Sequence, residues 1–170
     1  VGNAGVFSLN NGNYIVASPS WNNDSANDAG AVTWGNGTTG ISGVVSSSNS
    51  LVGNTTGDVV GGPWYALRIT VLGNGNYVVI SSNWKNGAGA VTWGNGTTGV
   101  SGVVSSSNSL VGRNSIPDHV GEGPIIVLSN NNYLVSSPSW GNFAGAVSWG
   151  NGNSGISGVV SNNNSLVGSK

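Results

Sequence analysis

The residues best suited to acid–base chemistry lie in one short stretch, IPDHVGEG. It holds His119, the only histidine, next to Asp118, and such a pair can form a general base. Asp118 and Glu122 also offer the two carboxylates that a glycosidase uses. The sequence signals no nucleophile or second acid nearby, and nothing in the spacing selects a carboxylate pair over a loop. We therefore expect a solvent-facing loop histidine and no enzymatic activity.

Six of the seven tryptophans form two repeated sets. Trp34, Trp93 and Trp149 alternate with valines on a predicted strand, so we expect them in the core or between repeats. The second set stands at strand ends beside asparagines. There a ring and nearby amides can bind a sugar, or the ring can seal the gap between repeats, and both interpretations stay open. The candidate carbohydrate-binding residues are Trp21, Asn22, Trp84, Asn86, Trp140 and Asn142.

Other motifs carry weaker chemistry. The glycine-rich GNGTTG resembles a phosphate loop, but it leads into another strand instead of a helix, so we expect a hairpin turn. Asp24 and Asp28 occur in one repeat only and are interpreted as solvated acids, so neither a metal site nor a cofactor is expected. Asn23, Asn36, Asn54 and Asn95 each begin an N-x-S/T sequon and are candidate glycosylation sites.

The composition excludes several classes of partner. Charged residues make up 5% of the 170 residues and the formal net charge is −1, whereas soluble chains average about 25% charged residues. No basic stripe is present to neutralise phosphates, so we expect no nucleic-acid partner. No stretch approaches the roughly 20 apolar residues of a membrane span. There are no cysteines, which excludes disulfides and thiol chemistry.

Internal repetition dominates the sequence. The stretch AGAVTWGNGTTGISGVVSSSNSLVG at 29–53 returns almost unchanged at 88–112 and 144–168. Its tryptophans lie 59 and 56 residues apart, and each is followed 17 residues later by the leucine of NSLVG. Length varies only in the insert NNDSANDAG and in the stretch before each NGNY-type motif. These variable stretches are expected on the surface.

Each repeat is expected to contain four short strands and no helix. The predicted strands are NYIVAS, AVTW, ISGVVS and ITVL with their counterparts, rich in β-branched and aromatic residues. Asn-Gly pairs between apolar runs favour hairpin turns. No 3.6-residue periodicity is long enough for a helix. The fold class is therefore all-β, in one repeat domain spanning 1–170.

The repeat frame appears shifted at the N-terminus, because Val1-Gly2 matches Val60-Gly61 and Val120-Gly121. We therefore predict that 1–12 is the final strand of a permuted repeat, with repeats at 13–75, 76–131 and 132–170, the last incomplete. This strand is expected to close a ring by pairing with the last repeat, or to complete a neighbouring subunit, or to mark a fragment cut from a longer array.

The pattern SLVG…VGxxGVxxLxNGNYVVxSPxW…AGAVTWGNGTTG covers essentially the whole chain. It resembles an uncharacterised tandem repeat of very large bacterial secreted and surface proteins, often of filamentous-haemagglutinin type. More distantly, SPSW…AGAV resembles the FG-GAP blades of integrin-type β-propellers. Those blades usually bind calcium through aspartates, but NNGNY, GNGNY and NNNNY contain no carboxylate, so calcium sites are not carried over.

Four-stranded units of this length fit β-propeller blades, although three are fewer than the usual 4 to 8. A threefold β-prism or β-trefoil is the alternative. The expected function is that of an extracellular or cell-surface structural and adhesive repeat protein. It would build a stalk or filament by repeat stacking or head-to-tail strand exchange, with self-association as its main interaction. The alternative is a multivalent lectin that uses the tryptophan and asparagine loops.

Overall fold

The computed structural model describes residues 1–63, 68–113 and 117–169, which form three β-sheets. The all-β class with three tandem repeats is confirmed. The strands are, in chain order, β1 (Gly5–Ser8), β2 (Tyr14–Ser18), β3 (Ala31–Gly35), β4 (Ser50–Val52), β5 (Ile69–Val71), β6 (Tyr77–Ser81), β7 (Ala90–Gly94), β8 (Gly102–Val103), β9 (Leu110–Val111), β10 (Ile125–Val127), β11 (Tyr133–Ser137), β12 (Ala146–Gly150), β13 (Gly158–Val159) and β14 (Ser165–Val167).

Each repeat contributes four antiparallel strands to its own sheet. The first sheet has the order β1-β2-β3-β4, the second β5-β6-β7-β9 and the third β10-β11-β12-β14. The second repeat also lends β8 to the first sheet, where it pairs in parallel with β4. The third repeat lends β13 to the second sheet, where it pairs in parallel with β9. Neighbouring repeats are thus joined by a borrowed strand.

The fourth strand of each repeat differs from the sequence prediction. ISGVVS was expected to be a strand of its own repeat, but the SLV segment occupies that place beside β3, β7 and β12. The GV dipeptides of the second and third repeats pair with the preceding repeat instead. In the first repeat, Gly43 and Val44 form no strand. A single sequence gives no signal for such pairing, because the partner lies in another repeat.

The N-terminal strand also differs from the prediction. Within the chain it does not pair with the last repeat, because β1 pairs with β2, from Gly5–Ala17 to Ser8–Tyr14; completion of a neighbouring subunit stays a prediction. A tight turn makes this local hairpin, in which Leu9 N–H donates to the Asn13 carbonyl (2.8 Å) and Gly12 takes a φ of 86°. Each sheet therefore begins one strand earlier than the frame drawn from the sequence.

Two single helical turns occur where no helix was expected, α1 (Trp84–Gly87) and α2 (Trp140–Phe143). Their middle residues have left-handed backbone angles, with φ of 57° at Asn86 and 60° at Asn142. Asparagine tolerates this region better than other non-glycine residues. These turns are therefore reversals of chain direction at the end of β6 and β11.

The hydrophobic core lies between sheets, in two clusters. In the first cluster, Ile15, Val32 and Leu51 of the first repeat pack with Tyr77 and Val104 of the second. In the second cluster, Val78, Val91 and Leu110 of the second repeat pack with residues of the third, including Tyr133, Val135 and Val160. The second sheet therefore buries one face against the repeat that follows and the opposite face against the repeat that precedes, while each outer sheet buries one face against the second repeat.

We call these two surfaces the forward and the rear face of a repeat. The forward face carries the positions of Ile15, Val32, Trp34 and Leu51, and the rear face those of Tyr77, Gly99 and Val104. Hydrogen bonds between repeats join neighbours only: among the described residues, none connects the first repeat with the third. The repeats are linked in a row.

Candidate functional site

The junction between consecutive repeats is the most elaborate site in the molecule. Its backbone part is the parallel pair of β4 and β8, with Leu51 opposite Gly102 and Val52 opposite Val103. Val104 N–H then donates to the Val52 carbonyl at 3.0 Å. The second junction repeats this arrangement, with Val160 N–H donating to the Val111 carbonyl at 3.0 Å.

A single peptide carbonyl accepts three side-chain hydrogen bonds at each junction. The Gly96 carbonyl accepts from Trp34 Nε1 (2.9 Å), Asn11 Nδ2 (2.8 Å) and Asn13 Nδ2 (2.8 Å), all in the preceding repeat. At the second junction the acceptor is the Gly152 carbonyl, at 2.8 to 3.0 Å from its three donors. These donors are Trp93, Asn74 and Asn76.

The asparagine before each tyrosine serves two repeats at once. The Oδ1 atom of Asn76 accepts from Gly96 N–H in its own repeat (2.9 Å), while its Nδ2 donates to Gly152 in the next (2.8 Å). Asn13 does the same with Gly37 and Gly96. A carboxamide carries its acceptor oxygen and its donor nitrogen on separate atoms, so one side chain can bind both glycines, which accounts for the recurring asparagine.

Glycine allows the tryptophan ring to approach the next repeat. A Cβ at Gly99 would lie 2.7 Å from the Cβ of Trp34, and the equivalent Gly155 stands in the same relation to Trp93. Gly99 and Gly155 also have positive φ, of 77° and 75°. The expectation that this tryptophan set lies in the core or between repeats is therefore met at both junctions.

The second tryptophan set is less uniform. Trp84 is only 4% exposed and belongs to the first core cluster, so its ring has no open face on which a sugar could stack. Trp140 is half-buried against the second cluster, with Arg113 Cζ 4.9 Å from the ring centroid. Trp21 is half-buried as well. Carbohydrate binding at Trp21 and Trp140 stays a prediction.

The asparagines beside these tryptophans do not form a common site. Asn22 Oδ1 accepts from Asp28 N–H at 2.9 Å and so holds the insert of the first repeat. Asn86 and Asn142 are exposed in the left-handed turns described above. The hydrogen bond of Asn22 and the backbone angles of the other two account for all three asparagines as turn residues.

Two buried carboxylates connect loops to the next repeat. Asp58 accepts from the N–H groups of Asn54 and Thr55 (3.0 and 2.9 Å) and from Lys85 N–H (2.8 Å). Asp118 accepts from Arg113 through its backbone N–H and its guanidinium (2.9 to 3.0 Å), and from Gly141 N–H at 3.0 Å. Both carboxylates thus bind the residue that follows a tryptophan of the second set.

These contacts bear on the acid–base residues singled out above. Burial by itself raises the pKa of Asp118, but the hydrogen bonds from Arg113 and Gly141 outweigh it and hold the pKa below its usual range. His119 Nδ1 lies 3.3 Å from the Ser82 carbonyl, and Glu122 Oε1 accepts from Ser139 N–H at 2.8 Å. No contact among the described residues joins His119 to a carboxylate.

Three of the four candidate sequon asparagines use their side chains in hydrogen bonds with the protein backbone. Asn23 Nδ2, the atom that would carry an N-linked sugar, donates to the Gly53 carbonyl at 2.8 Å. Asn36 and Asn95 each use Oδ1 to cap their own GNGTTG turn, so this motif is the turn expected from the sequence. Asn54 is exposed. Glycosylation stays a prediction.

The described ranges contain no group of three or more histidine, aspartate or glutamate side chains placed to hold a metal ion. Within the same ranges no helix has the length and apolar character needed to cross a bilayer.

The carbonyl contact at the junction was not foreseen from the sequence. Its signal was available in the asparagines three residues before and directly before the tyrosine of each NGNY-type motif, which recur together with Trp34, Trp93 and Trp149. Recurrence alone could not reveal that these donors share one acceptor in the following repeat.

Alanine at Gly99 and at Gly40 tests the tryptophan contact. Both glycines have positive φ, 77° and 73°, so both substitutions carry a conformational cost of about 1 kcal/mol. Only Gly99 faces a tryptophan, because a Cβ at Gly40 would meet nothing closer than Tyr14 Oη at 4.0 Å. In urea unfolding at low protein concentration, Gly99→Ala should lose about 1–3 kcal/mol more than Gly40→Ala. Equal losses would contradict a tight Trp34 contact.

Asp118→Asn tests the buried carboxylate link. At pH 7 we expect a loss of about 2 kcal/mol, since hydrogen bonds to a charged group are removed. Because the folded-state pKa is lowered, this stabilisation is complete above the unfolded value of about 3.9 and disappears as the pH falls through the folded-state pKa. The difference between the wild type and the variant in urea unfolding should therefore shrink towards pH 2. Exposed Asp24→Asn is the control, and a pH-independent difference for Asp118→Asn would refute the link.

Comparison with known protein families agrees with the three-repeat organisation. The model of the family described as "Repeat of unknown function (DUF5650)" matches residues 8–62, 71–122 and 127–170. No curated protein matches the chain. The three matches together span most of the sequence and follow the three sheets. The chain therefore belongs to the DUF5650 family of repeats.

Proposed function

We propose that this chain is a structural module that builds a stalk or filament by stacking its repeats in a row, as part of an extracellular or cell-surface protein. The observation that carries the proposal is the junction. Both junctions use a borrowed strand, a three-donor carbonyl and a Trp–Gly contact with distances that agree within about 0.2 Å. A unit that reproduces its own interface can be extended without any change of geometry.

The energetics of such an array support a mechanical role over a catalytic one. In the proposed stack each repeat buries its two faces against its neighbours, so stability is the sum of repeat terms and nearest-neighbour terms. The two carboxylates considered for catalysis, Asp118 and Glu122, accept the backbone N–H groups of Gly141 and Ser139. We therefore regard the chain as a non-enzymatic protein.

The proposed location rests on different grounds. The repeat pattern resembles that of very large bacterial secreted and surface proteins of filamentous-haemagglutinin type. Polarity here comes from amides and hydroxyls, with only nine charged residues in the whole chain. Adhesion by such a stalk would use its turns, because the sheet faces are occupied by junctions.

A covalent tandem of two chains tests the stalk. The first copy should end at Gly168, and residues 54–59, which link the first two sheets, should replace Ser169 and Lys170 before Val1 of the second copy. A stack predicts that the maximum dimension in small-angle X-ray scattering roughly doubles with an unchanged cross-section. A compact or ring-shaped body would instead enlarge its radius of gyration only about 1.3-fold. That second result would overturn the proposal. A second tandem, in which a Gly/Ser linker of equal length replaces residues 54–59, is the control that shows whether the linking residues are needed for a correct junction.

A further inference from the structure

The forward face of the third repeat is uncovered. Leu166 is 79% exposed, whereas its counterparts Leu51 and Leu110 are fully buried. Val147 is 40% exposed and Trp149 49% exposed, although Val32 and Val91 are buried at the position of Val147. In the described part of the chain, β14 pairs only with β12, so one of its edges is open.

The rear face of the first repeat is uncovered in the same way. Val44 is 85% exposed, and Val45 is half-buried where Val104 and Val160 are buried. Tyr14 is half-buried, while Tyr77 and Tyr133 have no exposed surface. A groove of about 210 Å³ opens here, and its apolar lining comes mainly from Tyr14, Val16, Ile41 and Val45.

We infer that these two faces bind each other between two copies of this chain, forming a third junction of the same geometry. In the register of the internal junctions, Gly43 and Val44 of one copy would pair with Leu166 and Val167 of the other. Trp149 Nε1, with Asn130 and Asn132, would donate to the Gly37 carbonyl. This inference rests on the proposed stacking function, and it identifies a second copy of the chain as the binding partner.

The chemistry of the two faces selects a copy of the chain over an unrelated protein. The Gly37 carbonyl occupies the position at which Gly96 and Gly152 each accept three donors. Trp149, Asn130 and Asn132 carry the same donors as Trp34, Asn11 and Asn13. Asn131 takes a φ of 66° and so replaces the glycine of the earlier NGN turns without changing the turn. Every residue type of the carbonyl contact and of the Trp–Gly contact is therefore present.

The open edges also lack the usual protection against strand pairing. Natural edge strands commonly carry lysine, proline or inward-pointing charges. Neither the SLV segment of β14 nor the ISGVV segment at residues 41–45 contains such a residue. An uncharged edge beside an exposed apolar face favours pairing with a matching edge.

Sedimentation velocity across a concentration series tests the inference with three variants. The wild type should show a weight-average mass that rises with concentration. Leu166→Asp places a charge on the forward face, and Gly40→Ala places a methyl group where Trp149 would approach, as Gly99 meets Trp34. Each should sediment as a monomer. Asn163→Asp adds the same charge as Leu166→Asp at a position exposed in all three repeats, and it should associate like the wild type.

Mixing distinguishes a head-to-tail junction from other association. Leu166→Asp keeps an intact rear face and Gly40→Ala an intact forward face, so an equimolar mixture should form dimers and stop there. Circular dichroism checks that each variant is folded, and Ile41→Asp replaces Gly40→Ala if that variant is not. A wild type that stays monomeric up to the millimolar range, or a mixture that stays monomeric, would overturn the inference. The scattering result on the covalent tandem is independent, so the stacking function can stand when association in trans fails.

Discussion

One peptide carbonyl at each junction accepts three hydrogen bonds from the preceding repeat, and the arrangement of the sheets depends on this contact. Trp34, Asn11 and Asn13 reach Gly96 from two different segments. Buried donors without partners are costly, so these side chains restrict which surface can follow. The fixed 17 residues between tryptophan and leucine follow instead from the sheet of each repeat. That interval sets β3 against β4 with a buried hydroxyl pair, Thr33–Ser50 at 2.7 Å, which recurs at 2.7 Å in the other repeats.

Outside this contact the sequences of the repeats differ, but a position that joins one repeat to the next keeps its residue type. The loops after the SLV strands differ in sequence, NTTGD against RNSIPD, yet each ends in a buried aspartate that binds a backbone N–H of the next repeat. Asp118 also pairs with Arg113, which the first loop lacks. The carboxylate position is retained because it joins the loop to the following sheet. The rest of the loop only has to connect one sheet to the next.

The sequence allowed the repeats, the all-β class and the central strands β2 and β3 to be predicted, because Tyr14 to Ser18 and Ala31 to Gly35 carry local β signals. It did not reveal that SLV completes the sheet or that Gly102–Val103 belongs to the neighbour, since segments of two or three residues have no periodicity and their partner is distant. The sequence likewise did not indicate that Trp84 is buried. Its face is covered by residues of the adjoining sheet, and no local pattern reports on such coverage.

These constraints limit where a stack of this kind can recognise anything. In such a stack the junctions bury the forward and rear faces, and the GNGTTG turns supply the carbonyl acceptor. Substitutions on these faces or in these turns therefore alter assembly first. In the turns after β6 and β11 the junctions use only the backbone N–H groups of Lys85 and Gly141, so the side chains of these turns can differ. Asn22 lies in an acidic insert after β2, Lys85 stands 5.4 Å from the Trp84 ring, and Phe143 is 79% exposed. Chemical differences between repeats therefore accumulate along the side of the stack. Any binding specific to one repeat has to arise from these turns, while the junctions set the spacing at which they are displayed.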